Sequence, residues 1–200
     1  MPPRRRLSPE ERRNELMDVG VRLFQETAFD TVTLDDVAVS AGVSRALMYH
    51  YFPTKGDFFG AIWKRAHDEL LETARMDGER PVRELVEHSL RAHLDFYARH
   101  AALVYIANRS AISTDPAVRG PVSADLAAIC ERILAACGAT GRTRDLAGAA
   151  LAGWIAFVRE VSIEWLLHQR ITGDDVLQLC MEALDGAVGA HLDLSALPIA

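Results

Sequence analysis

Apolar residues recur along this chain every three to four positions, and no stretch sustains the alternation of a half-buried strand. The pattern predicts an all-α fold of about nine helices. Ser8-Pro9-Glu10-Glu11 opens the first, with a serine cap, a proline at the first helical position and a glutamate that completes a capping box. Leu16, Val19, Leu23 and Phe24 make its apolar stripe, and it ends near Ala28. Thr33 caps a short second helix over 34–41, which Gly42 breaks; Ser44 caps a third, and Pro53 stops it near Phe52. A longer helix then runs from Lys55 to about Met76.

Asp77-Gly78-Glu79-Arg80-Pro81 is the clearest interruption, and helical stretches follow at about 82–100, 101–112, 116–136, 144–169 and 174–191. The organisation read from this is a basic, disordered arm over residues 1–8, a three-helix head over 9–69 and a larger helical bundle over 77–200. The helix over 144–169 is apolar almost all round, which fits burial on two sides.

Composition narrows the function classes. Half the residues are hydrophobic and a quarter charged, the balance of a soluble globular chain. The longest apolar run, 146–158, stops at Arg159 and Glu160, short of a membrane span. The arginines at 4–6 are followed by polar residues instead of the apolar core of a signal peptide, so a cytoplasmic protein is expected. Cys130, Cys137 and Cys180 form no metal or disulfide spacing and read as ordinary thiols. Glu160, Glu164 and His168 lie four apart, not in the ExxH spacing of bundle metal sites, and no nucleophile elbow, P-loop or HExxH occurs. Neither catalysis, a metal nor a cofactor is expected.

The net charge of −6 argues against a nucleic-acid partner until it is divided. Residues 1–56 hold eight basic and eight acidic side chains, so the whole excess of acid falls in 57–200. The neutral part contains the most informative segment, residues 32–51. Val37, Ala41, Val43, Met48 and Tyr51 are spaced to seal the angle between two short helices, Ala38 is small where they cross, and Gly42 supplies a left-handed turn. This is the pattern of a helix-turn-helix, whose second helix enters the DNA major groove. Ser44 and Arg45 open that helix, and arginine suits guanine O6 and N7; Ala46 and Leu47 suit a thymine methyl. Tyr49 and His50 point toward the backbone, Lys55 suits a phosphate, and Thr33 starts a helix whose amides favour one.

Together with the extension Tyr49-His50-Tyr51-Phe52-Pro53-Thr54-Lys55, these residues resemble the TetR (tetracycline-repressor) family of bacterial regulators. That family's head reads as an apolar helix with a Phe near its end, then T…IA..AGVS.G.LY.YF.SK..L. The match runs through Leu23-Phe24, Thr33, Val37-Ala38, Ala41-Gly42-Val43-Ser44, Met48-Tyr49, Tyr51-Phe52, Lys55 and Phe58, and departs at Ala46 and Gly56. The resemblance implies a homodimer on a palindromic operator of double-stranded DNA, usually repressing, released when a small-molecule inducer enters the C-terminal domain. By matching position it implies DNA contacts at Thr33, Ser44, Arg45, Ala46, Leu47, Tyr49, His50 and Lys55. An activator, or a DNA-binding factor that senses nothing, fits the same residues.

In the later bundle, Trp154, Val158, Val161 and Trp165, with Leu179, Ala183 and Ala187 of the last helix, read as the dimer interface. Polar and aromatic residues among apolar neighbours are the candidate ligand contacts: His67, Ser89, His93, Tyr97, Tyr105, Asn108, Arg109, Phe157, Glu160 and Glu164.

Overall fold

The computed structural model describes residues 7–74 and 79–197, so the arginine arm and the break at Asp77-Gly78 lie outside the described residues. Nine α-helices and no strand occur among those described: α1 (Pro9–Glu26), α2 (Leu34–Ala41), α3 (Arg45–Tyr51), α4 (Lys55–Thr73), α5 (Val82–Arg99), α6 (Ala101–Arg109), α7 (Pro116–Ala136), α8 (Gly141–His168) and α9 (Gly173–Ala187). The three expected caps form. Ser8 accepts from Glu11 N at 3.1 Å, Thr33 from Asp36 N at 3.2 Å and Ser44 from Leu47 N at 3.2 Å. Residues 111–112, read as the end of a helix, fall instead in a 3₁₀ turn over Ala111–Thr114 before Pro116.

The chain divides into two compact units. The first contains residues up to Ala66 together with Tyr105–Pro121. Its core is aromatic: Phe24 lies 5.1 Å from Phe29 and 5.9 Å from Phe59 between ring centroids, and Phe52 lies 4.9 Å from Phe58 in an edge-on arrangement. Two glycines admit this packing. A Cβ at Gly20 would collide with the Phe58 ring, and one at Gly60 would stand 2.5 Å from the Ala117 carbonyl oxygen. The carboxylate of Asp115 fills the space beside Gly56, which explains the departure from the family pattern there.

The second unit contains His67–Val104 and the chain from Val122 onward. Leu90 and Leu94 of α5, Leu134 of α7, Leu151 of α8, and Val176 and Leu184 of α9 are buried in one core. After α9 the chain folds back onto α5, where Leu194 O accepts from Arg83 N at 2.9 Å and Ala196 O from Val82 N at 3.0 Å. Tail carbonyls thus satisfy amides that a helix start leaves open. Arg83 adds a two-pronged bond to Asp185, at 2.9 and 2.8 Å. By length and composition alone α8 is apolar enough to cross a membrane, although Arg159 and Glu160 interrupt its uncharged run as the sequence indicates. Its most apolar window has a mean hydropathy of 1.5 and is 28% buried within the chain.

Glycine replacements separate tight from open sites. Gly20→Ala is expected to destabilise the first unit by about 1–3 kcal/mol, because Phe58 must move. Gly148→Ala, whose Cβ would meet Leu134 at an ordinary 3.7 Å, is expected to gain about 0.5–1 kcal/mol from helix propensity. Denaturant unfolding of the two variants checks both signs.

Candidate nucleic-acid interface

The interface is built on α2 and α3. Gly42 joins them with φ +63° and ψ 36°, and its Cβ position is open, so backbone conformation selects glycine there. Met48, with no exposed surface, and Phe52, at 1%, anchor α3 from below. Ser44, Arg45, Ala46, Tyr49 and His50 are left exposed on its outer side, and Leu47 is half-buried. The structure therefore gathers six of the predicted contacts on one helix face.

Arg45 is not loose on that face. Its Nη1 lies 3.1 Å from Asp35 Oδ2 of α2, and its guanidinium carbon stands 5.4 Å over the Tyr49 ring. Asp35 went unassigned in the sequence, where nine intervening residues hide the pairing. Val39, 81% exposed on α2, was also passed over, because its spacing placed it with the helix's polar residues.

Two other candidates, Thr33 and Lys55, are committed to bonds within the chain. Thr33 gives its hydroxyl to Asp36 Oδ2 at 2.6 Å, and its amide donates to the same oxygen at 2.8 Å. These bonds hold the Asp36 carboxyl below its usual range, so the α2 N-terminus already carries an anion. Lys55 donates from Nζ to Phe29 O at 2.5 Å and lies 4.0 Å from the Phe29 ring centroid. Desolvation pulls its pKa down against the opposing pull of Asp30. Lys55 is a half-buried strut closing the turn at Phe29–Thr31, which corrects its reading as a free phosphate contact.

The ligand candidates separate. His67 is buried, with Nδ1 3.4 Å from Asp125 Oδ2. His93 stacks 4.0 Å from Tyr97; burial, and then nearby His67, push its pKa down to about 4, while burial pushes Tyr97 up to about 12. Both rings are therefore neutral at neutral pH. Ser89 bonds to Ala74 O and Leu85 O and is taken up locally. Tyr105, Asn108 and Arg109 belong to the first unit, and Tyr105 and Arg109 are exposed. Phe157, Glu160 and Glu164 lie exposed on the outer side of α8, with Glu160 3.4 Å from Arg159 and Glu164 3.4 Å from His168. That placement corrects their reading as cavity-lining groups.

The two stripes of α8 are exchanged relative to expectation. Trp154 donates to Cys180 O at 2.7 Å, Val158 is buried, and Trp154, Val161 and Trp165 pack on the core of their own unit. They are held within the chain, which corrects their assignment to a dimer face. The outer side carries Ala149, Ala152, Gly153, Ala156 and Phe157, and α9 exposes Leu179 and Ala187, with Ala183 half-buried. No cluster of three or more His, Cys, Asp or Glu suited to a metal occurs among the described residues.

Residues 16–62 match the family model for bacterial regulatory proteins of the tetR family. The chain is 31% identical over 90 residues to the HTH-type transcriptional regulator AcrR of Shigella flexneri, covering 42% of each chain. It is 32% identical over 92 residues to the HTH-type transcriptional repressor BepR of Brucella suis, covering 44% of each. The chain thus spans less than half the length of these curated relatives. A tetR-family transcriptional regulator from Streptomyces coelicolor superposes with a TM-score of 0.74 at 26% identity, over 92% of this chain and 84% of that one. The sealed helix-turn-helix, the all-helical architecture behind it and these likenesses agree: residues 16–62 carry the helix-turn-helix region of the tetR family of bacterial regulatory proteins, and the chain as a whole is similar to tetR-family regulators.

Proposed function

We propose that this chain is a cytoplasmic, dimeric transcriptional repressor that binds a palindromic operator through α3 and leaves it when a small molecule enters the second unit. The observation that carries the reading is the outer face of α3, where Arg45, Ala46, Tyr49 and His50 project from a helix held by the buried Met48 and Phe52. A short helix with exposed hydrogen-bonding and apolar side chains at its N-terminal half suits base edges in the major groove. The tetR family model over residues 16–62, which contain this face, supports it, as do the AcrR and BepR likenesses.

Dimerisation follows from uncovered apolar surface. α8 leaves Ala149, Ala152, Gly153, Ala156 and Phe157 exposed, and Leu179 of α9 is 41% exposed. Small residues allow close helix approach, and a second copy of the same pair would cover this patch. For the inducer, His67, His93 and Tyr97 are the polar groups gathered in the second unit; two of them are neutral, which suits an uncharged hydrogen-bonding group on an apolar body.

Selection of bound DNA from a random pool tests the central claim, and two inverted half-sites are expected. Arg45→Ala should then relax one base pair per half-site at a cost of about 1–3 kcal/mol. Lys55→Ala should instead lower the stability of the first unit, because it removes the bond to Phe29 O. Enrichment of no site would overturn the reading.

The combined Phe157→Glu and Leu179→Glu variant is expected to sediment as a folded monomer, since both side chains are exposed in the single chain. A dimer that survives both charges would place the interface elsewhere. Acidification checks the state of His93. Its folded pKa of about 4 lies below the ordinary histidine value of 6.5, so the unfolded chain takes up the proton first. Its contribution is complete above pH 6.5 and declines as pH falls from 6.5 toward 4. His93→Gln should flatten that part of the stability profile, and an unchanged slope would contradict the buried, neutral state.

A further inference from the structure

Asp35 lies in the first turn of α2, where a carboxylate suits the helix N-terminus, but it takes no part in the cap. The cap of α2 is made by Thr33 and Asp36, which bond each other reciprocally. Asp35 Oδ1 is buried and accepts no hydrogen bond, while Oδ2 faces Arg45 Nη1 at 3.1 Å. A carboxylate beside a surface meant for DNA repels phosphate on every sequence, so its presence weakens binding without regard to bases. Its partner Arg45 is 73% exposed, and the Tyr49 ring lies 5.4 Å from its guanidinium.

We infer that Asp35 is a specificity-determining residue, which holds Arg45 so that its guanidinium reads one base and is withheld from phosphates. The inference rests on the DNA-binding reading of α3. The stereochemistry is consistent. Arginine carries five donors in a rigid fork, and the carboxylate engages it through Nη1. The opposite edge, Nε with Nη2, remains whole, and two parallel donors there match O6 and N7 of a guanine. The Tyr49 ring fixes the plane of the fork and Asp35 fixes its rotation. An unheld arginine would swing to the nearest phosphate, where it adds affinity for any sequence. Asp35 therefore exchanges general affinity for discrimination.

The test compares the wild type with Asp35→Asn, which keeps size and removes charge, on the selected operator, on operators altered at the Arg45 base pair, and on random-sequence duplex. Asp35→Asn is expected to bind random duplex several-fold more tightly and to lose roughly tenfold discrimination at that one base pair, with other positions unchanged. Asp35→Glu, which retains the charge, should recover part of the discrimination. On an Arg45→Ala background Asp35→Asn should leave base preference unaltered, a result that a merely structural role would not give. If Asp35→Asn keeps the wild-type preference, or shifts it equally without Arg45, the inference is overturned while the DNA-binding reading stands. If the wild type selects no site at all, both fall together.

Discussion

A seven-residue helix has no stability of its own in water, so the direction in which α3 points is decided by what its buried side chains rest on. Met48 and Phe52 press into the first unit, Phe52 meets Phe58 edge-on, and Phe58 lies over Gly20 of α1. The chain of contact runs from α3 through α4 to α1 without a gap. Gly42 then sets the angle from the other side, because its left-handed backbone turns α2 into α3 within three residues. Every exposed side chain on α3 inherits its aim from this clamp.

Charged groups around the head are mostly committed before any partner arrives. Asp36 is bound by Thr33, Lys55 by Phe29, and Arg45 by Asp35. Arg13 stands 5.1 Å over the Phe52 ring, adding a cation to the aromatic clamp. Pairs as exposed as Arg45 with Asp35 contribute little to stability. Their effect is on geometry, since each removes freedom from a long side chain at the surface. Residues 1–56 balance eight basic against eight acidic side chains, so that segment carries no net charge.

The first unit was largely legible in the sequence because its signals are local. Caps at Ser8, Thr33 and Ser44, the turn at Gly42 and the stop at Pro53 each act within four residues. What escaped were relations between residues far apart in the chain. Lys55 reads as an exposed cation until Phe29, twenty-six residues earlier, is brought beneath it. Gly56 reads as a weak helix start until Asp115 is placed beside it. On α8 the pattern correctly indicated two apolar sides, but periodicity gives no rule for which side turns inward. The indole of Trp154 decides it: its N–H needs an acceptor, and Cys180 O on α9 supplies one inside the same chain. The bulky stripe is therefore internal and the small-residue stripe is left outside.

The two exposed faces are linked by the arithmetic of recognition. One α3 presents few groups able to tell bases apart, chiefly Arg45 with Ala46, Tyr49 and His50, and a good bidentate contact discriminates by about 1–3 kcal/mol. A single head could not reject the roughly 10⁶–10⁹ competing sites of a genome on that basis. Two heads held by one dimer read two half-sites at once, and their discrimination free energies add. In the proposed role the alanine and glycine face of α8 is therefore as much a part of sequence recognition as Arg45, and so is any carboxylate that keeps each arginine aimed. Pairing doubles whatever selectivity one head has; it cannot create selectivity in a head whose arginine is free to settle on the nearest phosphate.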